Sequence, residues 1–97
     1  DNIEEFFAKD PDSESVFRSF KYWTLLAGVS RFEIKLNNKI VFQSGEEDSS
    51  CRNITFKVAS NEVIYALPKS SWSIDSDLKG DLLENVSIAL IKRLEQL

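Results

Sequence analysis

Residues Val29 to Gly45 read VSRFEIKLNNKIVFQSG. Phe32, Ile34 and Leu36 alternate with Arg31, Glu33 and Lys35, the period of two that a strand with one buried and one wet face requires. Asn37 and Asn38 follow, and Lys39 to Gln43 resumes the alternation with Ile40 and Phe42. Two such runs around an Asn-Asn turn make a β-hairpin, whose register decides which side chains the core receives. A two-residue type I′ turn suits Asn, which tolerates positive φ, but a regular ladder from it sets Ile34 opposite Val41 and turns Ile40 and Phe42 outward. A three-residue loop, Asn37 to Lys39, instead pairs Leu36 with Ile40 and Ile34 with Phe42, which puts all the large apolar side chains on one face. Misplacing two of them costs roughly 1.5 to 3 kcal/mol each, against roughly 1 to 3 kcal/mol for straining Lys39 into the left-handed region. The burial decides, and Ile40 and Phe42 are expected inside; a bulge beside a two-residue turn would also serve.

Upstream, Ile3, Phe6 and Phe7 at helical spacing beside Glu4, Glu5 and Lys9 suggest the last turns of an amphipathic helix. Asp10-Pro11-Asp12-Ser13-Glu14 supplies an N-cap candidate, a proline suited to a first helical turn and early acidic residues. The helix that starts there carries Val16, Phe20, Trp23 and Ala27 along one stripe, with Phe17 and Leu26 beside it. Gly28 stands where a left-handed residue would end it.

Downstream, Gly45 to Ser50 is a polar, acid-rich loop without the ligand spacing of a calcium site. A third strand, Arg52 to Ala59, directs Ile54, Phe56 and Val58 inward, and Ser60-Asn61-Glu62 makes the next turn. Val63 to Leu67 is apolar on both faces, the pattern of a central strand covered on both sides, and Pro68 ends it. Ser71 to Ile74 is a candidate fifth strand. The last helix begins near Asp75 to Asp77 or at Asp81, where Asp81 and Glu84 have capping-box spacing. Its Leu83, Val86, Leu90, Leu94 and Leu97 form one stripe while Ile88 and Ile91 lie away from it. One face cannot bury both sets, so Ile88 and Ile91 are free for a second protomer or a flanking helix of the parent chain, and are expected at the interface of a homodimer built through this helix.

The fold class is thus α+β, an antiparallel sheet of four to five strands flanked by N- and C-terminal helices. At 97 residues the chain is a single domain with one modest core. Twelve Lys and Arg against sixteen Asp and Glu give a net charge of −4, and the basic residues are scattered, which argues against nucleic acid. No apolar run is long enough to cross a bilayer. The absence of Met and the helical ending ALIKRLEQL suggest a fragment of a longer chain. Asn53-Ile54-Thr55 and Asn85-Val86-Ser87 match the glycosylation tripeptide, a pattern short enough to arise by chance.

Chemistry has few places to sit. Without His the usual base for a Ser or Cys nucleophile is missing, no Gly-rich phosphate loop exists, and the lone Cys51 offers no disulfide or zinc site. The acidic pairs fall on wet faces or loops. No catalytic residue, metal site or cofactor is expected.

Helix, hairpin, two more strands and a helix, in that order, resemble the small PAS-like sensor domains of the Cache and CHASE type. The likeness is carried by Ala27-Gly28-Val29 leading into Phe32-Glu33-Ile34-Lys35-Leu36 and, after the turn, by Lys39-Ile40-Val41-Phe42-Gln43-Ser44-Gly45, with Asn38 where such hairpins usually have Gly. The resemblance implies a ligand-sensing input domain, extracytoplasmic (periplasmic), of a membrane-anchored histidine kinase, diguanylate cyclase or chemoreceptor, passing its signal through the C-terminal helix. It places a small-molecule ligand between the sheet and the segment crossing it, which singles out Arg52, Tyr65 and Trp72. A cytoplasmic PAS or GAF regulatory domain fits nearly as well. The alternative from another class is a ligand-free dimerisation or interaction module.

Overall fold

The structure, a computed structural model, describes residues 2–46, 48–69 and 76–97, the side chains of 2 and 76–79 excepted. The elements run α1 (Asn2–Ala8), α2 (Ser13–Ala27), β1 (Arg31–Leu36), β2 (Lys39–Gly45), β3 (Cys51–Val58), β4 (Asn61–Pro68) and α3 (Ser76–Gln96). The strands form one antiparallel sheet in the order β2-β1-β4-β3. The fold is α+β with helices at both ends of the chain, as the sequence indicates. The candidate strand Ser71 to Ile74 lies outside the described residues.

Both termini of α2 follow local rules. Asp12 is the N-cap, its Oδ1 accepting a hydrogen bond from the Ser15 N–H at 2.8 Å, so Pro11 lies just ahead of the helix. Gly28 adopts φ 79°, and the N–H groups of Gly28 and Val29 close on the carbonyls of Leu25 and Thr24, a Schellman ending that glycine allows at no steric cost. Val16 and Phe20 are buried, whereas Leu26, expected beside their stripe, is 70% exposed together with its neighbours Tyr22 and Leu25. Thr24 takes the buried place on that side, its hydroxyl donating to the Lys21 carbonyl at 2.7 Å.

The hairpin resolves the conflict between turn and burial in its own way. Asn37 and Asn38 both adopt positive φ, 53° and 67°, as a two-residue type I′ turn requires. Leu36 therefore pairs with Lys39 and Lys35 with Ile40, and the ladder then skips Val41, so that Ile34 meets Phe42. The bulge returns Phe42 to the inner face without straining Lys39. Ile40 is not rescued: opposite Lys35 on the outer face it is 50% exposed, which corrects the expected pairing with Leu36. At the end of β2, Gly45 lies at φ 97° against Ser30, and a Cβ there would collide with the Ser30 carbonyl oxygen.

The β3–β4 turn is shorter than the sequence suggests. Val58 pairs with Asn61 across Ala59-Ser60, and Ala59 takes the positive φ of 58°. Asn61 is drawn into β4 because its side chain has two partners to serve. Its Oδ1 accepts from the Asn37 N–H at 3.0 Å, its Nδ2 donates to Glu95 Oε2 at 3.2 Å, and the adjacent Ser60 hydroxyl donates to Asn37 Oδ1 at 2.8 Å. A buried amide thus ties both turns to the end of α3.

α2 and α3 pack on one face of the sheet, and α1 lies against α3. Phe17 of α2 stacks on Phe42 at 4.7 Å, Phe20 meets Phe32 edge-on at 4.7 Å and Tyr65 at 6.1 Å, and Phe7 of α1 reaches Phe20 at 6.5 Å. Phe32, Trp23, Leu36, Phe42, Ile54, Phe56 and Leu90 belong to this one core, with Ile34 and Tyr65 fully buried at its centre. β4 is an inner strand, but the helices cover only the side of Val63, Tyr65 and Leu67. On the other side Ile64 is half-buried and the small Ala66 is shielded beside Arg31, its cross-strand partner.

Candidate functional site

Tyr65, placed by β4 in the middle of the sheet, is fully buried among Phe20 and Phe56. Its hydroxyl lies 2.7 Å from Ser87 Oγ, and the Ser87 hydroxyl donates in turn to the Leu83 carbonyl at 2.7 Å, which makes Tyr65 the donor to Ser87. Burial pushes the phenol above its ordinary range, only partly offset by the Ser87 hydrogen bond, so it stays protonated. The side chain is a satisfied pillar between sheet and α3, with no polar atom turned to a ligand.

Arg52 lies on the same face at the far end of β3, opposite Leu67, and is exposed. Ile54, not Arg52, stands across from Tyr65, so the two do not converge on one point. Trp72 lies outside the described residues. Of the pair expected at a dimer interface, Ile88 is 37% exposed beside Ile3 of α1, while Ile91 is 0% exposed and part of the core. The premise that one helix face cannot bury both apolar sets is corrected: α3 is held by the sheet on one side and by α1 on another, so Leu83, Leu90, Leu94 and Ile91 are all covered within one chain.

Polar contacts fasten α1 to α3. Lys92 Nζ meets Glu4 Oε2 at 3.0 Å, which holds the exposed Glu4 carboxyl below its usual range through the hydrogen bond and the charge. Arg93 Nη2 donates to the Asp10 carbonyl at 2.6 Å. The cleft between these helices measures about 370 Å³ and is lined by Glu4, Glu5, Lys92, Arg93 and Gln96, charges of both signs that favour no single ligand class. An apolar dimple of about 130 Å³ lies among Ile3, Phe6, Phe7, Trp23 and Val86, below the roughly 300 to 1,000 Å³ of small-molecule sites.

The described residues hold no group of three or more His, Cys, Asp or Glu placed to bind a metal ion, and no helix among them is long and apolar enough to cross a membrane. Residues that the sequence reading passed over carry the polar structure. Ser87 interrupts the apolar i, i+4 run between Leu83 and Ile91, a signal that a hydroxyl is needed at that depth, and Asn61, which the sequence places in a turn, opens β4 instead. Besides its charged residues, the described surface carries large apolar side chains and a strand edge. Tyr22, Leu25 and Leu26 are 62%, 66% and 70% exposed on α2, and β3 is an outer strand of the sheet.

Compared with protein-family models, curated proteins and solved structures, the chain matches none.

Proposed function

We propose that this chain is a non-catalytic regulatory module, of the PAS-like design its hairpin resembles, that acts by association with another protein surface rather than by enclosing a small ligand. The observation that carries this is the filling of the layer between sheet and helices. Phe20, Phe32, Ile34, Tyr65, Leu83 and Leu90 are each at most 2% exposed there, and the phenol of Tyr65 is spent on Ser87. In the sensor reading that layer is the ligand's place, and here buried aromatic and aliphatic side chains occupy it. The same protein leaves large apolar side chains and a sheet edge at its surface, the features by which interaction modules bind.

A thermal-shift screen of small polar and apolar metabolites tests the choice. Association without a ligand site predicts no stabiliser. A ligand bound in the sensor manner adds ~2.7 kcal/mol when present at ~100 times its dissociation constant, which is readily visible in a melting curve. One reproducible stabiliser that loses its effect in Arg52→Ala would overturn the association reading in favour of the ligand-sensing one.

A further inference from the structure

The two edges of the sheet differ in kind. β2 is broken by the bulge at Val41, whereas β3 holds an uninterrupted register with β4 from Cys51 to Val58, without glycine, proline or bulge. No strand among the described residues pairs with the outer edge of β3. Its inward side chains Ile54, Phe56 and Val58 are only half-buried, as expected of a face that ends one strand too soon. A regular edge of this kind, free of proline and bulge, is a template for another strand.

We propose that β3 pairs with itself: two copies join antiparallel about a two-fold axis normal to the sheet, making one continuous eight-stranded sheet. This rests on the association reading above and names its partner as a second copy of this chain.

The register follows from the geometry. A two-fold normal to the sheet keeps the helices of both copies on the same side, so inward residues must face inward residues. The two-residue turn at Ala59-Ser60 makes Val58 and Asn61 a hydrogen-bonded pair, and alternation then leaves Asn53, Thr55 and Lys57 with their N–H and C=O groups turned to the free edge. With the axis at Thr55, that residue exchanges hydrogen bonds with its own copy and Asn53 does so with Lys57. Ile54 and Phe56 then form close cross-strand pairs, the aromatic and β-branched combination that stabilises sheets.

Charge fits the same register. Lys57 meets Asn53 and Arg52 meets Val58, so no like charges stand opposite. Val58 neighbours Asn61, whose Nδ2 donates to Glu95 Oε2 at 3.2 Å, so Arg52 of each copy arrives beside Glu95 of the other. Moving the axis to Ile54 sets Arg52 against Phe56 and leaves Val58 unpaired. The match of Arg52 to Glu95 in charge and of Ile54 to Phe56 in shape makes a second copy the fitting occupant. A single strand-to-strand contact falls short of the ~1,200 Å² of standard interfaces, so the dimer is weak and depends on concentration.

Sedimentation equilibrium on the full chain, from micromolar to millimolar, tests this. The wild type should show a reversible monomer–dimer equilibrium. Thr55→Pro, which removes an outward N–H and leaves the β4 ladder alone, and Glu95→Arg, which confronts Arg52 with a like charge, should each weaken it by roughly tenfold or more, with folding verified by circular dichroism. Arg52→Glu combined with Glu95→Arg should restore it. A monomer at millimolar concentration, a dimer untouched by Thr55→Pro in a folded protein, or a double variant no tighter than Glu95→Arg alone would overturn the proposal. A stabilising small molecule would defeat the association reading without altering these masses, whereas a monomer with no ligand would defeat only the β3 pairing.

Discussion

Tyr65 shows how the environment of one hydroxyl decides between a site and a strut. The phenol donates to Ser87, and Ser87 donates to the Leu83 carbonyl, so the chain of donors ends on the backbone of α3. Removing the two partners should therefore have unequal effects. Tyr65→Phe loses one net hydrogen bond, about 1 kcal/mol, and leaves Ser87 still bonded to Leu83. Ser87→Ala strands the buried phenol without an acceptor and should cost roughly 1 to 3 kcal/mol. The double variant should cost less than the sum, because the stranded donor is gone. Urea denaturation of the three variants measures this, and a Ser87→Ala loss smaller than that of Tyr65→Phe would contradict the donor order. At this scale the sequence misleads for a definable reason. A tyrosine on a strand offers a polar tip, and only the depth of its partner, twenty-two positions away on another element, tells whether that tip is already engaged.

Elements were more legible than their partners. The stop at Gly28 and the alternation of β1 and β3 are local patterns that local chemistry suffices to read, whereas the cap falls at Asp12, past Pro11 rather than ahead of it. The hairpin was half legible, since burial correctly required Phe42 to face Ile34 while turn chemistry correctly required Asn37-Asn38 alone, and a bulge satisfies both at the expense of Ile40. Deleting Val41 tests this, because the shortened strand runs as a regular ladder with Ile40 still beside Lys35 and Phe42 still beside Ile34. Stability should change by no more than ~1 kcal/mol. A loss of ~3 kcal/mol or more, the size expected when a large aromatic leaves a core, would show that Val41 is not the inserted residue. The reading of α3 failed where it treated the sheet as its sole cover. The α1 helix, clamped by Glu4–Lys92 and by Arg93 on the Asp10 carbonyl, widens the buried arc enough to include Ile91.

Across the whole molecule, helices lie on one face of a four-stranded sheet and an aromatic layer runs between them from Phe7 through Phe20 and Phe32 to Tyr65. Outside that layer the described surface presents the exposed face of α2, the open side of the sheet and the β3 edge. Composition and charge already argued against nucleic acid and against the commoner forms of catalysis, since both depend on which residue types exist. They gave no view of the layer's packing, which depends on how rings from separate elements meet. A crystal held under xenon pressure examines that layer directly, because xenon enters dry apolar cavities and is excluded from close-packed ones. The predicted result is no xenon among Phe20, Phe32, Tyr65 and Leu90; an ordered xenon atom there would show an open cavity between sheet and helices, contradicting the filled layer on which the association reading rests.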